Sequence, residues 1–242
     1  MYQPDNYNNY NNYNNYPQGG QGVVSLVSNT MKRVYFKMTL ALIVTALTAF
    51  WASTSAGYIN FLVSHQWFMW VLVIAELGFV IALSGAINKL SNLGASALFY
   101  LFAIVNGLML CTIFLAYSPS AITKTFFITA GTFGAMSVYG YFTTSDLTRI
   151  GSFLIMALIG LIIASIVNIF LHSSSLDWII SIVGVLIFIG LTAWDTQQVK
   201  RMAMMAPSEA VSKLATIGAL SLYLDFINLF LYLLRIFGGN RD

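Results

Sequence analysis

Two aspartates, Asp195 and Asp225, lie in the last two apolar stretches of a chain that otherwise keeps charge out of its long hydrophobic runs. An ionised acid at the centre of a helix in hydrocarbon costs roughly 2.5–3.5 kcal/mol on insertion scales. Two carboxyl groups in close contact cannot both ionise cheaply, so such a pair shares a proton. Carboxylate oxygens are also the ligands that calcium prefers. Asp195 and Asp225 are therefore candidates for pH sensing, for gating and for contact with a metal ion.

Further polar residues follow the last apolar stretch at helical spacing. At 100° per residue, Ser221, Asp225, Asn228 and Tyr232 fall on one face of a helix. Lipid cannot satisfy such a stripe, which should face protein or a water-filled path. Glu76 is a third acid within an apolar run, and its own helix face is otherwise apolar, so any partner must come from another helix. Glu76, Ser221, Asn228 and Tyr232 are the candidate residues of an ion pathway.

Each acid also has a purely structural interpretation. The sequence Asp-Thr-Gln-Gln resembles a helix-capping box, in which Asp195 would cap and Gln198 would lie three residues on. Asp195 could then begin a short amphipathic helix that includes Lys200 and Arg201. Asp225 could be held by a hydrogen bond from a serine, asparagine or tyrosine. Glu76 could be a protonated structural acid or a cation ligand, and the sequence does not separate the two.

The composition places the chain in a membrane. Of its 242 residues, 58% are hydrophobic and 8% are charged, against about a quarter charged in soluble domains. Five stretches contain no Asp, Glu, Lys or Arg, and each approaches or exceeds the roughly 20 residues of a spanning helix: 38–64, 90–123, 125–145, 150–176 and 178–194. We expect an all-α integral membrane protein that contacts the lipid bilayer and protons and binds no nucleic acid.

Several classes of enzyme and pigment are disfavoured by the residues present. No lysine lies in the middle of a predicted helix, which argues against a retinal Schiff base. The two histidines, His65 and His172, fall in predicted loops, which leaves neither a zinc site nor a base for a serine nucleophile. No Gly-x-Gly-Asp sequence precedes Asp195 or Asp225, as an intramembrane aspartyl protease would require. We therefore expect no enzymatic activity and no cofactor.

The chain divides into a tail and a helical domain. Residues 1–22 are rich in Asn and Tyr and are predicted to be a disordered cytoplasmic tail. Residues 23–242 are predicted to form a seven-helix transmembrane domain. The predicted helices are 34–56, 67–88, 94–117, 121–142, 150–171, 177–198 and 212–237. Small residues four apart predict close helix contacts at Ala130/Gly134, Gly131/Ala135 and Gly160/Ala164.

Basic residues indicate the orientation of these helices. With the N-terminus in the cytoplasm, eight basic residues flank the inner ends of the spans: Lys32, Arg33, Lys37, Lys89, Arg149, Lys200, Arg201 and Lys213. Three lie at or beyond the outer face, namely Lys124, Arg235 and Arg241. This bias predicts an internal N-terminus, and an odd number of spans places the C-terminus outside.

Seven segments together are similar to the Bax inhibitor family, especially its bacterial branch. They are Glu76–Gly78, Ile87–Ser91, Phe127–Ser137, Tyr139–Tyr141, Gly151–Phe153, Leu191–Gln197 and Leu222–Asn228. The resemblance covers roughly residues 25–240. It implies a seven-helix bundle with the last helix at its centre, in a bacterial cytoplasmic (inner) membrane.

The same resemblance implies a function. It implies a pH-sensitive calcium leak, gated by a pair of aspartates on the last two helices that Asp195 and Asp225 match. The family often has an arginine just before the Ile-Asn-Lys segment, where this chain has Ala86. Bacterial relatives are also associated with a membrane-anchored ATP-dependent protease, so a non-conducting regulator that binds such a protease is the alternative. A proton-coupled transporter is less favoured, because the halves show no repeat and no helix is broken by proline.

Overall fold

The computed structural model describes residues 20–87, 89–207 and 210–239, which form helices and short connections without any strand. Eight helices follow one another along this part of the chain: α1 (Gly20–Thr54), α2 (Ala56–Ser64), α3 (Trp67–Ala86), α4 (Asn92–Ala116), α5 (Pro119–Phe142), α6 (Thr148–Leu171), α7 (Ser174–Met205) and α8 (Val211–Phe237).

Six of these helices, α1, α3, α4, α6, α7 and α8, are long and apolar enough to cross a membrane. The 24-residue α5 has sufficient length but is less apolar than these six. The nine-residue α2 is too short to span. The fold is therefore all-helical with six candidate spans in the described residues, rather than the seven that the sequence predicts.

Two of the long helices extend beyond their predicted ends. α1 begins at Gly20 rather than at residue 34, because Val27 and Met31 continue its apolar face and are buried in the core. The predicted tail thus lies outside the described residues except for its last three, which begin α1. α7 runs to Met205 rather than to residue 198, because Val199 and Ala203 are buried on its continuing inner face.

The short helix α2 lies largely in a segment without a predicted helix. The side chain of Ser55 caps it by accepting a hydrogen bond from the backbone N–H of Tyr58. Its Leu62 is buried in a small apolar cluster with Ala52 of α1 and Cys111 of α4. Nine residues are too few for the helical periodicity of a span to stand out in the sequence.

The most deeply buried of the six candidate spans is α8, with 67% of its most apolar window inside the protein, against 6–44% for the others. It packs against α1, α4, α5 and α7. Large side chains without solvent exposure, including Leu222, Tyr223 and Leu229, lie along it. The last helix therefore forms the centre of the described structure, and polar groups on it are enclosed by protein.

Two glycines of neighbouring helices fix the position of α7. A Cβ atom on Gly140 of α5 would collide with the backbone carbonyl of Ala193, and one on Gly151 of α6 would collide with the Trp194 ring. Close approach of the helices at these points requires the absence of a side chain. α7 is thus held from both sides at residues 193–194, directly before Asp195.

Candidate functional site

The structure brings the two predicted aspartates together. Asp195 of α7 is half-buried, Asp225 of α8 is 4% exposed, and their carboxyl groups lie close enough to interact directly. An ionised carboxylate is purely an acceptor, so a bond between two carboxyl groups requires a proton on one of them. The contact joins the last two helices through a group that can gain or lose that proton.

One oxygen of the pair has no protein partner. Oδ2 of Asp225 is buried and makes no hydrogen bond with the described residues. An unsatisfied buried polar group costs about 1–3 kcal/mol, so this oxygen is available for a proton, a water molecule or a cation. No grouping of three or more His, Cys, Asp or Glu side chains able to hold a metal occurs in the described part of the chain.

Asp195 does not cap a helix. It lies inside the unbroken α7, ten residues before Met205, or about 15 Å from that end at 1.5 Å per residue. The capping interpretation is therefore wrong. The local sequence fits a cap, but the buried Thr196 and Gln197 pack inside the bundle and keep the segment helical. The carboxyl group of Asp195 consequently interacts with Asp225 of α8 instead of capping its own helix.

Beyond Asp195, side chains of α7 hold the loop that connects α5 to α6. The amide of Gln197 accepts a hydrogen bond from the backbone N–H of Leu147 (3.0 Å) and donates one to the carbonyl of Ser145 (2.8 Å). Lys200 donates a hydrogen bond to the backbone carbonyl of Tyr141 (2.6 Å), and its ammonium lies 4.9 Å from the centre of the Tyr141 ring. The segment of α7 that follows the acid pair is thereby tied to α5 and its loop.

An ion pair completes this attachment at the surface. Arg201 contacts Asp146 of the loop at 2.6 Å and also donates to the hydroxyl of Thr148 (2.8 Å). Hydrogen bonds from the Thr148 side chain and backbone, together with Arg201, hold the pKa of Asp146 well below its usual range. Asp146 therefore stays ionised through neutral and mildly acidic pH.

Glu76 belongs to a second polar network, which joins four helices. Its Oε1 accepts a hydrogen bond from Asn106 Nδ2 (2.8 Å), and the Tyr223 hydroxyl donates to Asn106 Oδ1 (3.0 Å). The same hydroxyl lies 2.7 Å from Thr45 Oγ1, which can donate to the carbonyl of Ala103 (2.9 Å). The expectation that the partner of Glu76 lies on another helix is confirmed. The roles of Tyr223 and Thr45 were missed from the sequence.

The remaining stripe residues of α8 make local contacts. Asn228 donates to the carbonyl of Leu224, four residues earlier (2.8 Å). The Tyr232 ring stacks on Phe188 at 5.9 Å between ring centres. Ser221 is half-buried on the same helix. Among the described residues, no hydrogen bond links Glu76 to the acid pair, so these candidates form separate groups rather than one chain.

Fold and site together define a helical membrane protein with several candidate spans and a pair of carboxyl groups between its last two helices. The family model described as "Inhibitor of apoptosis-promoting Bax1" matches residues 27–242. The chain belongs to this Bax inhibitor family.

Bacterial relatives match over most of their length. The chain is 47% identical over 214 residues to the inner membrane protein YbhL of Escherichia coli K12. This match covers 87% of this chain and 92% of the relative. A protein of Borreliella burgdorferi is 45% identical over 214 residues (88% and 92%). The protein RP147 of Rickettsia prowazekii is 44% identical over 213 residues (88% and 90%).

Proposed function

We propose that this Bax inhibitor family protein is a pH-sensitive calcium-permeable leak channel gated by Asp195 and Asp225. The observation that carries the proposal is the close approach of these two acids across the interface of α7 and α8. The proposed function involves no catalysis and no bound cofactor. Calcium is the proposed permeant ion because it is a hard cation that prefers oxygen ligands.

The gate works through the charge of the pair. With one shared proton, the two carboxyl groups attract each other and hold α7 against α8. Without that proton, two like charges 4 Å apart repel by about 4 kcal/mol at an effective dielectric constant of 20. The leak is therefore lowest over the pH range in which the pair holds one proton, and it changes where the pair loses it.

The proposed ion contacts are neutral and acidic oxygens near the centre of the bundle. Ser221, Asn228 and Tyr232 supply them along α8, and Glu76 supplies a carboxyl group from α3. The backbone carbonyl of Leu224 already occupies the Asn228 amide N–H, which leaves the Asn228 side-chain oxygen as an acceptor. Separation of α7 from α8 would open this side of α8 to ions.

Calcium flux into proteoliposomes across a pH series tests the gate. Asp195→Asn and Asp225→Asn keep the side-chain volume but cannot form an ionised pair, so each should flatten the pH dependence of the leak. Asp177→Asn is the matched control, since Asp177 lies on α7 but is half exposed and paired with Arg235 at 3.3 Å. An unchanged pH profile in both pair variants would contradict the gate.

The same assay separates the alternative function. A purified wild-type protein that passes no calcium at any pH would favour a non-conducting regulator of a membrane-anchored ATP-dependent protease. Co-purification of such a protease from the native membrane would then be the positive finding. Calcium flux in proteoliposomes that contain only the purified protein would contradict the regulator hypothesis.

We further propose seven spans, with the N-terminus in the cytoplasm and the C-terminus outside. α5 would be the seventh span, because its 24 residues extend about 36 Å, more than the roughly 30 Å hydrocarbon core. It also packs against α7 and α8, both apolar enough to cross a membrane. The excess of basic residues at the inner ends supports the orientation. YbhL is an inner membrane protein, which supports the same location here.

A further inference from the structure

A long groove separates α1 from α5. It encloses about 790 Å³, is lined on one side by α1 between Ser28 and Leu42 and on the other by α5 between Phe126 and Phe142, and includes Phe226 of α8. The 14-residue rise from Ser28 to Leu42 gives a length of about 21 Å, somewhat more than half the roughly 30 Å hydrocarbon core. Exposed Val138 and Phe142 lie on its border, so the groove opens toward the surroundings of the bundle.

The groove is polar at one end and apolar at the other. Short connections make α5, α6 and α7 alternate in direction, and Arg235–Asp177 and Gly218–Val199 contacts show α8 antiparallel to α7. α1 runs parallel to α8, since Lys37 bonds Thr216 and Thr45 bonds Tyr223. α1 and α5 are therefore antiparallel. Their lining residues then place Ser28, Lys32, Tyr35 and Tyr141 at one end, with Leu42 and Phe126 at the other.

The apolar end continues deeper into the protein. A second cavity of about 110 Å³ shares Leu42, Phe126 and Phe226 with the groove, and its remaining lining is almost entirely aliphatic and aromatic. The two spaces thus adjoin at Leu42, Phe126 and Phe226, and the groove begins beside basic and hydroxyl side chains. This shape and polarity fit a molecule with a charged head and a long hydrocarbon tail.

Two groups at the polar end lack protein partners. Ser137 is 5% exposed and lines the groove, yet its Oγ makes no hydrogen bond with the described residues. Lys32 is exposed and forms no ion pair with a carboxylate in residues 20–87, 89–207 and 210–239. Because α1 and α5 are antiparallel, these residues lie at similar depths on opposite walls. A buried donor and an unpaired ammonium there point to a ligand with both an anion and an acceptor.

We infer that the groove binds one acyl chain of an anionic phospholipid. The lipid phosphate would pair with Lys32, and an ester carbonyl would accept the hydrogen bond of Ser137. The hydrocarbon chain would lie along Phe133 and Phe226 toward the inner cavity. A phospholipid is the occupant that the setting favours, because the groove opens between the candidate span α1 and the proposed span α5, and its charge is positive at the end that holds Lys32.

Native mass spectrometry of the full chain in detergent tests this site. The probes are phosphatidylglycerol and phosphatidylcholine with identical acyl chains, titrated separately. The wild type should retain one phosphatidylglycerol with about fivefold higher affinity than phosphatidylcholine, the effect of roughly one basic residue near an anionic head. Lys32→Gln should remove this preference. Lys124→Gln, on the exposed outer start of α5, is the charge control and should keep it.

A second pair of variants tests occupation by the chain. Gly134 lines the groove, and a Cβ atom there meets open space, so Gly134→Leu can extend a side chain into the groove. It should weaken both lipids about tenfold or more. Gly160→Leu on α6 also meets open space and lies outside the groove, so binding should be unchanged.

Several results would overturn the inference. Equal wild-type affinity for the two lipids, or unchanged binding in Gly134→Leu, would show that the groove is not the lipid site. Binding that appears only after removal of residues 1–19 would show that the tail occupies the groove. Loss of preference in Lys32→Gln together with weakened binding of both lipids in Gly134→Leu would support it.

Discussion

The Tyr223 hydroxyl belongs to a hydrogen-bond network that joins four helices. This network has more contacts than hydroxyl protons to fill them. The Tyr223 hydroxyl lies within bonding distance of both Asn106 Oδ1 and Thr45 Oγ1, while Thr45 can also donate to Ala103. Two hydroxyl protons must therefore serve three contacts, and one contact is always left without a proton. The network has alternative hydrogen-bond arrangements, and Glu76 lies at its end through Asn106.

Removal of this hydroxyl should destabilise the bundle. Tyr223→Phe keeps the ring but leaves Asn106 Oδ1 without its donor. Hydrogen bonds between membrane helices average about 0.6 kcal/mol and reach about 1.7 kcal/mol, so we expect a loss of about 1 kcal/mol. Thermal unfolding in detergent measures it, with Tyr139→Phe as a control because Tyr139 is half exposed. Equal melting temperatures for the two variants would contradict a structural role for the network.

Among individual residues, the buried acids could be predicted from the sequence, whereas the polar network around Tyr223 could not. Asp195 and Asp225 stand out because few charges occur in the apolar runs, and the cost of burying them demands an explanation. Tyr223 is one of 13 tyrosines, and a tyrosine near the middle of a span is equally consistent with plain packing. The capping pattern at Asp195 misled because it is a local signal, which tertiary packing of the following turn overrides.

Close contacts between elements depend on glycines other than the predicted ones. Gly131, Gly134 and Gly160 have open space where a Cβ atom would lie, so the predicted small-residue contacts are wrong at these positions. Gly140 and Gly151 instead touch α7. Spacing of small residues identifies faces where helices could approach, but it cannot tell which face meets a neighbour and which meets lipid.

A methyl group at one of these contacts should separate α5 from α7. Gly140→Ala places its Cβ atom against the carbonyl of Ala193, and overpacking of this kind costs typically 1–3 kcal/mol. Gly131→Ala on the same helix meets open space and should leave the melting temperature unchanged or slightly higher. Thermal unfolding of both variants checks the expectation, and equal stability would show that the helices adjust without cost.

Replacement of Gln197 should release the loop before α6 from α7, whereas replacement of the neighbouring Gln198 should not. Gln197→Leu removes both bonds to the loop and leaves the amide of Leu147 without its acceptor. Hydrogen–deuterium exchange of residues 143–148 should become faster, since this amide opens to solvent more readily. Gln198→Leu alters the next residue and should leave exchange in the loop unchanged. Slow exchange in both variants would mean that other contacts hold the loop.

The Arg201–Asp146 contact should not respond to pH between 6 and 8. Asp146 has a lowered pKa in the folded protein, so its stabilisation is complete above the ordinary aspartate range and fades as pH falls through the lower folded value. Exchange of the loop amides, corrected for intrinsic rates, should therefore give equal protection at pH 6 and pH 8. A marked drop in protection at pH 6 would contradict this.

For the whole molecule, the proposed orientation predicts where each terminus lies. A C-terminal alkaline phosphatase fusion should be active and a C-terminal green fluorescent protein fusion dark, because phosphatase folds outside and the fluorescent protein inside the cytoplasm. An N-terminal fluorescent fusion supplies the matched control and should be bright. A bright C-terminal fluorescent fusion would contradict the seventh span and leave an even number.

For the whole molecule, the sequence correctly predicted an all-helical membrane protein with its last helix at the centre. It predicted the number of spans less well. Four of the five uncharged runs, all except 125–145, coincide with candidate spans, because hydrocarbon strongly disfavours ions. The polar stripe on the last helix required enclosure, and α8 is indeed the most buried of the six candidate spans. The predicted span at 121–142 is not among the six candidate spans, because the many Thr, Ser and Gly residues of α5 make that helix less apolar than a typical span.

The unbroken course of α7 through Asp195 makes the helix a stiff rod resting on the Gly140–Ala193 contact. About 29 Å of rod extends from that fulcrum toward Ser174 and about 18 Å toward Met205. When α7 tilts by a few degrees about this contact, its Ser174 end therefore moves about 1.6 times as far as its Met205 end. A small displacement beside the acids is thus converted into a larger swing at the opposite face of the bilayer.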